Sequence, residues 1–157
     1  MISLLTPKRG RPAGFTLMEA LTVLVIIAIV AAFAYPSYVN QIRKTKRAVA
    51  KSALLEAANR EEQYFFSNRT YANALNLLPE YASPTVLFDK DGSQPAAAAD
   101  AVYALSVAAV DDATACGTSP CFQLQAVPQN DQANDTACGT FTLTSSNAKS
   151  AAGSDCW

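Results

Sequence analysis

The sequence predicts an α+β protein in which a long N-terminal helix, first membrane-spanning and then amphipathic, packs on a small antiparallel sheet. Three observations carry this prediction. An apolar run lies near the N-terminus, a helix-forming stretch without Gly or Pro follows it, and three strand-like runs occur further on. With 157 residues and 50% hydrophobic content, the chain suits one modest domain with a core of its own.

The apolar run extends from Phe15 to Tyr35 and is 21 residues long, which matches the roughly 20 residues that a helix needs to cross a bilayer core. Its only polar residues are Thr16, Glu19 and Thr22. An ionised carboxylate such as that of Glu19 is costly inside a membrane and usually marks a partner. We therefore expect a membrane anchor in which Glu19 has a functional reason to be present.

A cleavable secretory signal is the alternative interpretation of this run. Residues 32–34, "AFA", resemble its cleavage site, but the run is longer than the roughly 7–15 apolar residues of such signals. Three cations precede the run, namely Lys8, Arg9 and Arg11. On the anchor interpretation they hold the N-terminus in the cytoplasm, and the chain after Tyr35 lies outside it.

A second helical stretch follows the apolar run. Residues 37–66 contain neither Gly nor Pro and are rich in Ala, Leu, Lys, Arg and Glu, all good helix formers. Apolar residues at near-helical spacing predict one broad buried face, made of Ile42, Val49, Ala53, Leu54, Ala57, Ala58 and Phe65. The anchor, 15–38, is thus expected to continue as an amphipathic helix over 39–66, with a kink at Pro36.

The remaining residues, 67–157, predict a globular head. Turn formers and a possible short helical turn at 72–78 come first, and a loose loop follows at 89–100. Strand-like runs begin at Val102, Phe122 and Gly139, and the last two alternate apolar and polar residues. We expect an antiparallel sheet of three to four strands, and we expect Tyr64, Phe65, Phe66 and Tyr71 to belong to the core.

Composition excludes several functions. The chain has no His, no phosphate-binding loop and no paired catalytic motif, so we expect neither an enzyme nor a cofactor. From Phe66 to the end there are nine acids and three cations, a net charge of −6; the cations are Arg69, Lys90 and Lys149. DNA binding needs clustered Lys and Arg, so the acidic head disfavours it, although three cations could meet on one face.

All four cysteines lie in the last 42 residues, at Cys116, Cys121, Cys138 and Cys156. An even number of cysteines in a segment outside the cytoplasm predicts two disulfides. Three pairings are possible, and we favour Cys116–Cys121 with Cys138–Cys156 because each closes a local loop. Zinc is the alternative, but the spacing lacks a C-x2-C pair, so no metal site is expected.

The N-terminal residues resemble those of a type IV prepilin. The match covers "KRGRPAG" and "FTLMEALTVLVIIAIVAAFAYPSY". The first stretch is a basic leader that ends in Gly14, and the pattern G-F-T-L-x-E begins at this glycine. Pro36 stands where the family tends to carry a proline. More loosely, "EEQYFFSNRTYA", "CGTFTLTSS" and the final "DCW" resemble the PilE-like minor pilins related to the competence pilin ComP.

This resemblance implies a processing pathway and a set of partners. A prepilin peptidase would remove the leader, 1–14, by cutting after Gly14, and would methylate Phe15. Glu19 would support assembly by pairing with the amino terminus of a neighbouring subunit. The implied protein is a pilus subunit, held in the inner membrane by one pass and then assembled by the pilus machinery with other pilins into an extracellular fibre. A ComP-like DNA-binding competence pilin and a type II secretion pseudopilin are the alternatives.

Overall fold

The computed structural model describes residues 14–95 and 97–157. The predicted leader residues before Gly14, including the three basic ones, lie outside the described residues. The chain divides into two compact units, one ending at Val39 and one comprising Asn40–Trp157. The boundary between the two units falls next to the predicted boundary between the anchor, 15–38, and the amphipathic helix, 39–66.

One long helix, α1, comprises Leu17–Asn68 and contributes to both units. At its start the hydroxyl oxygen of Thr16 accepts a hydrogen bond from the backbone N–H of Glu19 at 3.1 Å, as an N-cap does. At its end Arg69 adopts a positive φ of 61°, and its N–H donates to the carbonyl oxygen of Phe65 at 2.8 Å. The helix is thus capped at both ends by local hydrogen bonds.

Helix α1 continues through Pro36. The proline nitrogen cannot donate to the carbonyl oxygen of Ala32, so one helical hydrogen bond is missing there. The helical conformation on both sides of Pro36 is nevertheless unbroken. The kink expected at this residue stays a prediction.

The second unit contains a five-stranded antiparallel sheet in which consecutive strands are neighbours, in the order β1-β2-β3-β4-β5. The strands are β1 (Thr85–Phe88), β2 (Tyr103–Val110), β3 (Phe122–Pro128), β4 (Phe141–Thr144) and β5 (Lys149–Ser150). Strands β2, β3 and β4 correspond to the three predicted runs. Strands β1 and β5 were not predicted, because four and two residues are too short to show a clear alternation.

The core of the second unit lies between α1 and the sheet. The helix contributes mostly small buried residues, Ala50, Ala53, Leu54 and Ala57, which allow close approach. The sheet contributes larger ones, Tyr103, Leu105, Phe122, Leu124, Phe141 and Leu143. The α+β fold class predicted from the sequence, a long helix packed on a small antiparallel sheet, is confirmed.

Details of the predicted core differ from the structure. Ile42 is exposed rather than buried, whereas the acidic residue Glu61 is fully buried. Phe66, near the end of α1, was expected in the core, but 78% of it is exposed. Its neighbour Phe65 stacks on Tyr71, with ring centroids 4.7 Å apart, and Tyr71 meets Phe122 edge to face at 4.9 Å.

Two disulfides join Cys116 to Cys121 and Cys138 to Cys156, which is the pairing that the local-loop argument favoured. The first closes the connection between β2 and β3, and the second joins the segment before β4 to the end of the chain. Since all four sulfurs are in disulfides, they are not available as zinc ligands. Within the described residues no cluster of His, Cys, Asp and Glu has the geometry of a metal site.

Candidate functional site

The first candidate site is the segment from Gly14 to Glu19 at the start of the described chain. Gly14, Phe15 and Thr16 precede the first helical residue, and 85% of Phe15 is exposed. A Cβ atom built on Gly14 would meet no described atom within 4 Å, so the side-chain position there is unobstructed. The predicted cleavage and methylation residues, Gly14 and Phe15, thus lie in an exposed non-helical segment directly before α1.

The apolar part of α1 in the first unit has no partner within the described chain. Its large side chains are 49–85% exposed: Phe15, Leu17, Met18, Leu21, Val23, Leu24, Val25, Ile26, Ile27, Ile29, Val30, Phe33, Tyr35 and Tyr38. By length and composition this helix can cross a membrane. An apolar surface this large needs lipid or other helices to cover it. Glu19 lies on the same stretch and is exposed.

The second candidate site is a group of two lysines and two aromatic residues on the second unit, Lys51, Phe141, Lys149 and Trp157, which we call the basic aromatic patch. The ring of Phe141 is fully buried, so only the two lysines and Trp157 can contact a ligand. The Nζ atom of Lys51 lies 6.0 Å from the ring centroid of Phe141. The Nζ atom of Lys149 lies 5.4 Å from that of Trp157. The two rings meet edge to face, with centroids 5.6 Å apart. Both ammonium groups are thus within the range of cation–π attraction.

Four separate parts of the chain build the basic aromatic patch. Lys51 comes from α1, Phe141 from β4, Lys149 from β5, and Trp157 from the last turn. Strand β5 pairs with β4, with Lys149 opposite Leu143. The indole N–H of Trp157 donates to the carbonyl oxygen of Ser150 at 2.8 Å, and the adjacent Cys156 is tied to Cys138. The disulfide and this hydrogen bond therefore fix the indole against β5.

Some cations of the second unit are paired within the fold, and the lysines of the patch are not among them. Three cations there are paired with acids: Arg47 with Asp135, Arg60 with Glu56 and Glu80, and Lys90 with Asp91. Among the described residues neither Lys51 nor Lys149 forms a salt bridge. Their positive charge is available to an external anion.

A buried polar network lies in the same unit. The guanidinium of Arg47 donates to both carboxylate oxygens of Asp135 at 2.7 Å. The amide of Gln132 donates to Asp135 at 3.0 Å and to the hydroxyl of Tyr103 at 3.2 Å. The hydrogen bonds to Asp135 raise the pKa of Arg47, and burial raises the pKa of Tyr103. This network attaches the loop after β3 to α1, so Arg47 is a structural cation.

Chain topology explains why the patch was not predicted. The three cations that follow Phe66 in the sequence are Arg69, Lys90 and Lys149. Lys90 follows β1 and Lys149 lies in β5, and these strands are at opposite edges of the sheet. Lys149 instead lies in a patch with Lys51 of α1. Only the strand order reveals this, because 98 residues separate the two lysines in the sequence.

Comparison with known proteins identifies the family. Residues 9–35 match the model of the prokaryotic N-terminal methylation motif. Residues 36–142 match the family described as "Type IV minor pilin ComP, DNA uptake sequence receptor". The second match covers more than half of the chain. The protein is thus a type IV pilin, and it belongs to the ComP minor pilin family.

Two further comparisons complete this result. No curated protein sequence matches the chain. A solved type IV pilin from Shewanella oneidensis is similar to it at 19% identity, over 72% of this chain and 97% of the other, with a TM-score of 0.43. Family membership makes the chain a subunit of type IV pili, which assembles with other pilus components, and favours this class over a secretion pseudopilin.

Proposed function

We propose that the chain is a processed, membrane-anchored minor pilin whose second unit contacts DNA. The prepilin peptidase would cut between Gly14 and Phe15 and methylate Phe15. Support comes from the match to the methylation motif and from the unobstructed side-chain position at Gly14, where the absence of a side chain lets a protease approach closely. The helix after Phe15 would then hold the subunit in the inner membrane until assembly.

Assembly would depend on Glu19. A carboxylate within a lipid-facing helix costs about 2.5–3.5 kcal/mol on insertion scales. The new amino terminus at Phe15 of a neighbouring subunit is a cation of the right kind to offset this cost. Subunits related by a rotation and a rise form an open helical filament, with the apolar helices covering one another.

The proposed DNA contact is the basic aromatic patch. It rests on one observation: among the described residues Lys51 and Lys149 form no salt bridge, and they lie beside Trp157 and the buried ring of Phe141 on a unit whose other charges are mostly acidic or paired. Charges further away than about 8–10 Å are largely screened at physiological salt, so a local patch can attract phosphate despite the net negative charge. The family description, a receptor for a DNA uptake sequence, supports the same function.

The test uses the detergent-solubilised full chain and a short DNA duplex. Replacing Lys51 and Lys149 by Gln should weaken binding and reduce the slope of log affinity against log salt by about 2, because two phosphate contacts are lost. The control replaces Arg69 and Lys90 by Gln, which removes the same charge elsewhere. Equal loss in both variants would mean that net charge and not the patch governs binding. Absence of binding by the unmodified chain would contradict the DNA function itself.

A further inference from the structure

Three cations follow the apolar part of α1 closely: Arg43, Lys44 and Lys46, which we call the juxtamembrane basic segment. Among the described residues none of them forms a salt bridge or a side-chain hydrogen bond. Their neighbour Arg47 is bound to Asp135 and belongs to the fold. Arg43 and Lys44 therefore carry positive charges that have no acidic partner among the described residues, whereas Lys46 borders a cavity with acids in its lining.

Two tyrosines indicate where this segment lies relative to a membrane surface. Tyr35 and Tyr38, at the end of the apolar run, are 73% and 67% exposed. Tyrosines in such positions lie at the level of lipid headgroups. Arg43 follows Tyr38 by five residues, about 7.5 Å of helix rise, and a headgroup layer is about 5–8 Å thick. The three cations thus fall at its outer edge, within reach of long basic side chains.

The cations are also spread around the helix. Successive residues are about 100° apart, so Arg43 and Lys44 point in different directions and Lys44 and Lys46 are about 160° apart. A surface that surrounds a helix contacts all of these directions at once. A rigid DNA duplex approaches from one side and reaches only some of them. The arrangement therefore favours a lipid surface over DNA as the partner of this segment.

We propose that the juxtamembrane basic segment binds anionic phospholipid headgroups on the outer side of the membrane before the subunit is assembled. This inference rests on the proposed membrane anchoring. The chain from Phe66 onward has a net charge of −6 and is repelled by an anionic surface. An anionic surface therefore attracts the segment and not the acidic part of the chain.

The test compares lipid binding by matched variants of the full chain. Lys46 also borders a cavity of about 400 Å³ whose lining includes Asp89, Asp100 and Asp131, so the test variant replaces only Arg43 and Lys44 by Gln. Native mass spectrometry of chains released from vesicles with equal amounts of phosphatidylglycerol and phosphatidylcholine counts the bound lipids of each kind. The unmodified chain should prefer the anionic lipid. The variant should lose about five-fold of that preference for each cation removed.

The control replaces Arg69 and Lys90 by Gln and should keep the preference. An unchanged preference in the Arg43 and Lys44 variant, or an equal loss in the control, would overturn the proposal. A lower DNA affinity of the Arg43 and Lys44 variant with unchanged lipid preference would overturn it as well and assign the segment to DNA. Vesicle flotation separates the two proposals: a chain that fails to float refutes the anchoring, whereas a floating chain without lipid preference refutes only this inference.

Discussion

The carboxyl group of Glu61 is enclosed by the second unit, with none of the residue exposed. One oxygen accepts a hydrogen bond from the backbone N–H of Ala72 at 2.8 Å, and the other has no partner among the described residues. Burial raises the pKa of Glu61 from 4.5 to about 7; the hydrogen bond from Ala72 opposes this rise, and the nearby Glu62 adds to it. The group thus joins α1 to the following loop, and it is mainly neutral at pH values below its pKa.

We predict that Glu61 makes the fold less stable as the pH rises from about 4.5 to about 7. In this range the unfolded chain releases the proton of Glu61 while the folded chain keeps it, so ionisation favours unfolding. The loss is on the order of 3 kcal/mol and is complete above the folded pKa. Urea unfolding of Glu61→Gln at several pH values should show this part of the pH dependence removed.

Asp131→Asn is the matched control, because Asp131 is exposed and the change also removes one acid. Its pH profile should parallel that of the unmodified chain. If Glu61→Gln kept the full pH dependence, the buried carboxyl group would not be the group that titrates.

The environment of Glu61 shows a limit of sequence-based prediction at single residues. Glu61 follows Ala57 by four positions and therefore lies on the buried face of α1. In the sequence, however, a charged residue at this position indicates that the apolar face has ended. What makes its burial tolerable is the N–H of Ala72, which comes from the loop after the helix. In contrast, Gly14, Phe15 and Glu19 could be singled out because their motif is local.

At the scale of elements, the end of the chain depends on one covalent link. Strand β5 has only two residues and is an edge strand, and such a strand is not stable by itself. The Cys138–Cys156 disulfide returns the end of the chain to the segment before β4. Ala152 also donates to the carbonyl oxygen of Cys138 at 2.9 Å. The basic aromatic patch therefore depends on this disulfide.

We predict that replacing both Cys138 and Cys156 by Ser lowers the free energy of unfolding by about 3 kcal/mol, since a loop of this size is no longer closed in the unfolded state. Limited proteolysis should cut the variant after β4, and its DNA affinity should fall because Trp157 is no longer fixed. The matched control replaces Cys116 and Cys121, whose shorter loop accounts for about 2 kcal/mol. It should leave the end of the chain resistant to protease. Equal cleavage in both variants would show that the disulfide does not hold β5.

The elements that could be predicted are those with a clear period. The helical spacing of α1 and the alternation in β3 and β4 are visible in the sequence because each segment buries one face. Strand β1 has four residues and follows a proline-containing turn, so its pattern is too short to recognise. Strand β5 is stabilised by its pairing with β4 and by the disulfide. Neither interaction produces a recognisable pattern in the local sequence.

At the scale of the whole molecule, the chain combines a self-sufficient unit with an apolar helix that is not covered. The second unit has its own core and both disulfides, whereas the apolar stretch of the first unit is exposed throughout. Such a chain can exist in lipid or in a bundle of like helices. Transfer from lipid to the helix bundle requires an interaction that the bundle provides and lipid does not. A partner for Glu19 is the feature that distinguishes the two environments.

We predict that Glu19→Ala leaves the subunit processed and membrane-bound but reduces its incorporation into pili at least about ten-fold, in line with the loss of half or more of the 2.5–3.5 kcal/mol that a partner would recover. Immunoblots of sheared filaments and of membranes measure the two pools, and the mass of the membrane form reports cleavage after Gly14.

Glu62→Gln removes an exposed acid of the second unit and should incorporate normally. Gly14→Ser should retain the leader and provides the unprocessed reference. Alanine is at least as apolar as glutamate, so Glu19→Ala should still insert in the membrane, but it offers no carboxylate to a neighbouring subunit. Wild-type incorporation of this variant would therefore refute the pairing.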